Sequence, residues 1–303
     1  RQFMEIILLG NVVTHLYLGL NAVLRASGHP KQAMYATIAT VAINTILAPI
    51  FIFMFDWGIR GAAIATVSAQ VIALLWQLKQ FNNANELLHF RRGIFRLKRK
   101  IVFDSLAIGM SPFLMNLAAC LIVILINQGL KKYGGDLAIG AFGIVNRLVF
   151  IVVMIVMGLN QGMQPIAGYN FGAKLYDRVN KVLKLTIIYA TCVTTFGFLV
   201  GMLAPNLVVG IFTSDAELTE LSATGLRITV MFFPIIGFQM VTSNFFQSIG
   251  MAGKAIFLSL TRQMLILLPC LLILQHFFGV AGGWYSMPVS DLLASLIAMV
   301  MLV

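Results

Sequence analysis

Nine stretches of this chain are each long and apolar enough to cross a bilayer, and no other property narrows the choice of folds as far. They run roughly 2–24, 33–54, 58–79, 101–129, 137–163, 182–204, 220–246, 255–277 and 281–303. Each exceeds the ~20 residues that a helix needs to cross ~30 Å of hydrocarbon. With 60% apolar and 10% charged residues, a soluble fold of 303 residues would have too little polar surface to cover itself. Backbone groups in hydrocarbon must be paired within their own segment, so the fold class is an all-α membrane protein with nine transmembrane helices.

The net charge of +11 raises the question of nucleic acid, and the placement of the charges answers it. Fourteen of the 21 basic residues fall in one set of loops: Arg25 and Lys31; Lys79, Arg91, Arg92, Arg96, Lys98, Arg99 and Lys100; Lys174, Arg178, Lys181 and Lys184; and Lys254. The opposite loops hold Arg60, Lys131 and Lys132 beside Asp56, Asp136, Asp215, Glu217 and Glu220. This alternation follows the positive-inside rule, so the first and last spans both run from outside to inside. The excess of base is an orientation signal with some attraction to anionic inner-leaflet lipid, and it argues against a nucleic-acid partner. Cys120, Cys192 and Cys270 all lie in spans without metal or CxxC spacing. The scattered His15, His29, His89 and His276 form no HExxH, and no GxSxG, P-loop or paired-carboxylate motif appears, so the sequence does not read as an enzyme.

The longest polar segment, 80–100, reads as a basic amphipathic linker on the cytoplasmic surface between two bundles, residues 1–79 with three spans and 101–303 with six. A weak internal repeat crosses it. Gly28 in LRASGHPKQAM matches Gly250 in FQSIGMAGKAI at an offset of 222, and each is followed by a loop lysine and a span with a late proline, Pro49 or Pro269. Gly58 and Gly61 in GIRGAAIAT match Gly279 and Gly282 in GVAGGWYSM at an offset of 221. Carried back by that offset, the six spans of the second bundle call for three helices ahead of residue 1. The expectation is therefore a piece of a twelve-helix protein, built of two like-oriented six-helix lobes as in transporters with parallel repeats.

Four stretches carry a more specific signal: LRASGHPKQAM at 24–34, NQGMQPIAGYNFGAKLYDRV at 160–179, FFQSIGMAGKA at 245–255 and GVAGGWYSMPVSDLL at 279–293. The strongest piece is Gln164, Pro165, Gly168, Asn170, Gly172 and Ala173. These residues resemble the multidrug and toxic-compound extrusion (MATE) family along essentially the whole chain. The resemblance implies two six-helix lobes in a V and export of organic, often cationic, drugs by alternating access. Inward flow of Na⁺ or H⁺ would be the driving force, with no other cofactor. It also implies a monomer in a bacterial inner membrane, with drug-like molecules, the coupling ion and the lipid bilayer as its partners. The coupling carboxylate that the family carries on its first helix falls in the part this chain would lack. Two alternatives stand beside this reading: a lipid-linked glycan flippase of related architecture, and a channel or non-transporting membrane protein.

Polar groups inside spans then become candidates, since an ionisable group facing lipid costs about 3 kcal/mol or more. Asp291 lies near mid-membrane, where a carboxylate can take up H⁺ or Na⁺ and release it when water enters; alternatively it caps a helix restarting after Pro288. Arg147 is expected to face the lobe interior, paired with Asp291 or with carbonyls freed by a proline, as part of the coupling network or as a tether. Asn146 and Asn116 complete the expected cation site, and Asn127, Gln128, Gln239, Asn244 and Gln247 the expected substrate lining, or else they form interhelical hydrogen bonds. Pro112, Pro234 and Pro288 are expected hinges, because each withholds a backbone donor from its helix, or else they are prolines of the kind that membrane helices tolerate generally. Arg262 is expected to snorkel to the cytoplasmic side. The 23 Phe and 16 Met offer soft surfaces suited to varied apolar cations.

Overall fold

The computed structural model describes residues 2–83, 89 and 98–302. Most of the 80–100 linker therefore lies outside the described residues. The chain divides into two compact units, Arg1–Leu97 and Lys98–Val303.

The first unit is a three-helix bundle of α1 (Gln2–Ala26), α2 (Pro30–Pro49) and α3 (Gly58–Phe81). Beyond Pro49, α2 continues as a π-helical turn, Ile50–Met54. α1 and α3 run parallel and in register. Arg60 Nε donates to Gln2 Oε1 at 2.6 Å, Gly10 lies against Val67, and Thr14 Oγ1 donates to Gln70 Oε1 at 2.6 Å. Tyr17, Ala36, Ala73 and Leu74 form its core, extended at one end by Leu24, Ala33 and Phe81.

The second unit holds α4 (Arg99–Gly172), α5 (Tyr176–Leu203), the short α6 (Pro205–Val209), α7 (Ala216–Val230), α8 (Phe233–Ser248), α9 (Ala252–Leu260), α10 (Leu268–Phe278) and α11 (Val280–Leu302). A second π-helical turn, Thr261–Leu267, joins α9 to α10. The 74-residue α4 breaks at Gly135 (φ 64°, ψ −158°), a conformation open to glycine, and so contributes two crossings. α7 and α8 are bent by 55° with Pro234 in the first turn of α8, and together make one crossing. Nine crossings result among the described residues, in the order that hydropathy predicts. Two apolar cores stack within this unit. One is built around Ile126, Leu130, Phe142, Val145, Val230 and Trp284, the other around Val156, Met163, Val179, Val241 and Phe245.

The repeat seen in the sequence has a physical basis. Gly28 and Gly250 sit at φ 88° and 80°, and Gly58 and Gly279 at φ 50° and 56°, where a side chain would be strained. Gly61 packs on the backbone of Phe51, where a Cβ would lie 2.5 Å from the carbonyl oxygen, and Gly282 packs on the carbonyl of Leu274 in the same manner. Both units therefore build a similar device: a helix with a proline and a π turn, which follows the proline in the first unit and precedes it in the second, a glycine at positive φ, and a returning helix pressed against it through a second glycine.

Candidate functional site

Small residues bring α11 close to the preceding span. Its buried face carries Gly282, Gly283, Ser286, Ser290, Ala294, Ser295 and Ala298, which let two membrane helices approach backbone to backbone. Asp291 is buried on that face, the twelfth of the helix's 23 residues, about 17 Å from either end at ~1.5 Å per residue. α11 is continuous through Pro288, so Asp291 does not cap a restarted helix.

The partner of Asp291 is Arg262. Its Nε donates to Oδ1 at 2.8 Å, and the side chains are 30% exposed for arginine and 7% for aspartate. Arg262 sits in the π turn, where the Leu268 N–H reaches back five residues to the Gln263 carbonyl. The extra residue per turn changes the direction in which side chains leave the helix and loosens the regular ladder. A second tie runs between the same two segments, for Ser290 Oγ donates to the Arg262 carbonyl at 2.7 Å. Ser295 Oγ donates to the Asp291 carbonyl at 2.6 Å. The result is a buried, net-neutral ion pair at mid-span, held by a side-chain clasp and a backbone clasp one residue apart.

Amides form a separate group on α4 and α8. Gln164 Nε2 donates to Asn244 Oδ1 at 3.1 Å, and Asn244 Nδ2 donates to the Met240 carbonyl at 2.9 Å. One turn from Gln164 on α4, Asn160 is buried with neither amide atom hydrogen-bonded. Gln239 is buried on α8 and Gln247 half-buried near its end, so the helix turns Gln239 and Asn244 in different directions. Asn160 opens one of the motif stretches, yet its burial depends on its direction around the helix, which an all-apolar span does not reveal.

Four expectations need correction. Arg147 and Asn146 are exposed on α4 and do not reach Asp291. The core-facing stripe of α4 runs through Ala138, Ala141, Phe142, Val145 and Leu148, and Arg147 lies ~200° around the helix from Val145. Arg262 does not snorkel; it turns inward to the carboxylate. Asn116 is exposed and spends its amide locally, on the Pro112 carbonyl at 2.8 Å, so it is not brought to the ion pair. Asn127 is half-buried and Gln128 exposed. Of the expected hinges, Pro234 lies at a bend, whereas Pro112 and Pro288 sit inside helices that run on through them.

The first unit has a polar seam of its own. Besides Thr14–Gln70, Asn44 Nδ2 donates to Thr66 Oγ1 at 3.1 Å, and Asn21 Nδ2 donates to the Ala33 carbonyl at 2.9 Å. Gln77 is fully buried with both amide atoms unpartnered. At the repeat offset of 221, Gln70 is the counterpart of Asp291.

Comparison with known proteins places this geometry in context. Residues 107–272 match the sequence model of the MatE family, more than half of the chain. The multidrug export protein MepA of Staphylococcus aureus (strain MSSA476) is 28% identical over 302 residues, covering 98% of this chain and 65% of the relative. A structure of the MATE multidrug transporter DinF-BH matches with TM-score 0.90 and 34% identity, covering 99% of this chain and 68% of that one. An outward-facing multidrug resistance MATE family transporter of the MOP superfamily matches with TM-score 0.91 at 22% identity, covering 99% and 68%, which speaks to the fold alone. The chain thus spans 65% of the length of the curated relatives it matches.

Proposed function

The chain belongs to the MatE family, and from that premise we propose that its gene product is a secondary active multidrug exporter. It moves drug-like organic molecules out of a bacterial cell across the inner membrane, by alternating access, against inward flow of Na⁺ or H⁺. The observation that carries the reading is the Arg262–Asp291 pair, a carboxylate buried at mid-span in a chain similar to multidrug transporters. A charged pair in that position is costly to keep, and a group that can exchange its counter-ion there is what coupling requires. The bend at Pro234 and the two π turns supply places where a span can change shape without unfolding. Exposed Gln128 and half-buried Asn127 and Gln247 offer amides to a moving ligand, whereas Gln239 is buried and Asn244 is already hydrogen-bonded. Exposed aromatic and methionine side chains such as Phe150 and Met154 offer adaptable apolar contact. Drug and coupling cation influence each other only through their differing affinity for the two states.

The test is dye efflux by the full-length gene product in cells lacking their own exporters, with external Na⁺ and pH varied separately. Extrusion of a lipophilic cationic dye should follow one of the two gradients and continue when ATP is exhausted but the gradient is imposed. Failure to extrude any dye, or extrusion indifferent to both gradients, removes the reading.

A further inference from the structure

We propose that Arg262 is a tethered counter-cation: the guanidinium and the coupling cation compete for the one carboxylate of Asp291, and Ser290 relays the outcome to the π turn. This rests on the exporter reading and assigns the exchange step within it.

Electrostatics favours a one-for-one exchange. As observed, the site holds one positive and one negative charge, 2.8 Å apart. Arriving H⁺ or Na⁺ neutralises the carboxylate in place of the guanidinium, so the buried site stays neutral throughout. The arginine is the partner that moves, being the less enclosed of the two: its side chain is 30% exposed and that of aspartate 7%. A carboxylate left buried without either partner would be strongly disfavoured, which keeps the exchange coupled. Among the described residues no other charge intervenes. Of the elements packed against α11, α8 carries no titratable side chain. α9 carries Lys254, α10 carries Cys270 and His276, α7 carries Glu217, Glu220 and Arg227, and the charges of α4 (Arg99, Lys100, Asp104, Lys131, Lys132, Asp136 and Arg147) are all exposed. None of these makes an ion pair with Asp291.

The relay follows from the second clasp. Ser290 holds the Arg262 carbonyl at 2.7 Å, so release of the side chain leaves that bond as a pivot about which the π turn can wind into α register. The fold itself does not demand the pair. The first unit builds a similar helix hairpin with Thr40, paired with Arg262 at the offset of 222 that joins Gly28 to Gly250, and Gln70, paired with Asp291 at 221; there the stretch around Thr40 is regular α-helix. There Thr40 Oγ1 bonds within its own helix, to the Ala36 carbonyl at 2.7 Å, and Gln70 accepts from Thr14. A neutral arrangement therefore suffices for packing, and the charges in the second unit require another reason.

The experiment uses the full-length protein in membrane vesicles, with dye transport followed while Na⁺ or pH is stepped. Arg262→Gln removes the competitor, and the coupling cation should then act at a concentration at least ~10-fold lower. Arg262→Lys should retain coupled export with a displaced midpoint. The double variant Arg262→Gln/Asp291→Asn, a neutral hydrogen-bonding pair, should accumulate in the membrane and pass dye only down its own gradient. Coupled export by the double variant, an unmoved midpoint in Arg262→Gln, or failure of the double variant to assemble each overturns the proposal. Wild-type protein that shows no gradient-driven efflux at all defeats the exporter reading, and this proposal with it.

Discussion

Replacing Gly282 by alanine tests the packing that lays α11 beside the π turn. A Cβ at Gly282 would run into the carbonyl of Leu274, a main-chain obstacle that cannot rotate aside. Overpacking of this kind costs about 1–3 kcal/mol. The obstacle is main chain, so the upper end of that range applies; alanine regains up to ~1 kcal/mol over glycine in a helix interior, and the net loss expected is about 2–3 kcal/mol. A unit of this size then melts about 2–4 °C lower per kcal/mol. Neighbouring glycines calibrate the argument. At Gly283 the new methyl meets Gln275 Nε2 at 3.0 Å, the end of a flexible side chain, so Gly283→Ala should be close to neutral. Gly19 and Gly109 have nothing within 4 Å, and alanine there should raise stability by about 0.5–1 kcal/mol. Gly61→Ala, against the Phe51 carbonyl at 2.5 Å, should repeat the loss in the first unit. Melting of the full-length, fluorescently tagged protein in detergent, followed by size-exclusion chromatography, gives the ordering. A Gly282→Ala protein that melts with the wild type, or a Gly109→Ala protein that falls as far as Gly282→Ala, refutes the reasoning.

Three further outcomes follow from single residues. Gln77→Met keeps the volume of a fully buried side chain but removes two unpartnered polar atoms, and should stabilise the protein by about 1–3 kcal/mol in the same melting assay; a lower melting temperature would mean that the amide has a partner. Asp215 caps α7 by accepting from the Leu218 N–H at 3.1 Å, so Asp215→Ala should cost about 0.5–2 kcal/mol and Asp215→Asn much less. Cysteines placed at Lys174 and Lys254 should react with a membrane-impermeant maleimide only from the cytoplasmic face, and one placed at Asp136 only from outside. Labelling of Lys174→Cys in intact cells would invert the assigned orientation.

The elements were legible because hydrocarbon thickness sets a length that sequence must meet. The break in α4 was legible for the same reason, since Lys131, Lys132, Gly134, Gly135 and Asp136 together cannot stay in hydrocarbon. The repeat was legible chiefly through glycine, with a loop lysine and a late proline in each copy. Positions at positive φ, or pressed on a neighbouring backbone, strongly favour glycine, whereas lipid-facing and packed positions accept many apolar side chains. Gly28 and Gly250, Gly61 and Gly282 therefore survive as matches where the intervening identity does not.

Direction around the helix was not legible, and the site depended on it. Arg147 and Arg262 lie at comparable depths in their spans, so depth could not decide which one reaches Asp291. A helix of a soluble protein would reveal its inner face by amphipathicity, but a span bathed in lipid is apolar all round. The π turn removed the remaining guide, because one extra residue per turn shifts every following side chain around the axis. One signal did point to the answer. Ser286, Ser290 and Ser295 recur near helical spacing beside Asp291, and in hydrocarbon a hydroxyl stripe marks the face against which another backbone packs. The span that meets this stripe is the one joined to α11 by the left-handed turn at Gly279, and Arg262 is the sole basic residue deep within it. A carboxylate on a small-residue face thus selects its counter-ion from the adjoining helix of the same hairpin, and depth ranks the candidates only after that face is known.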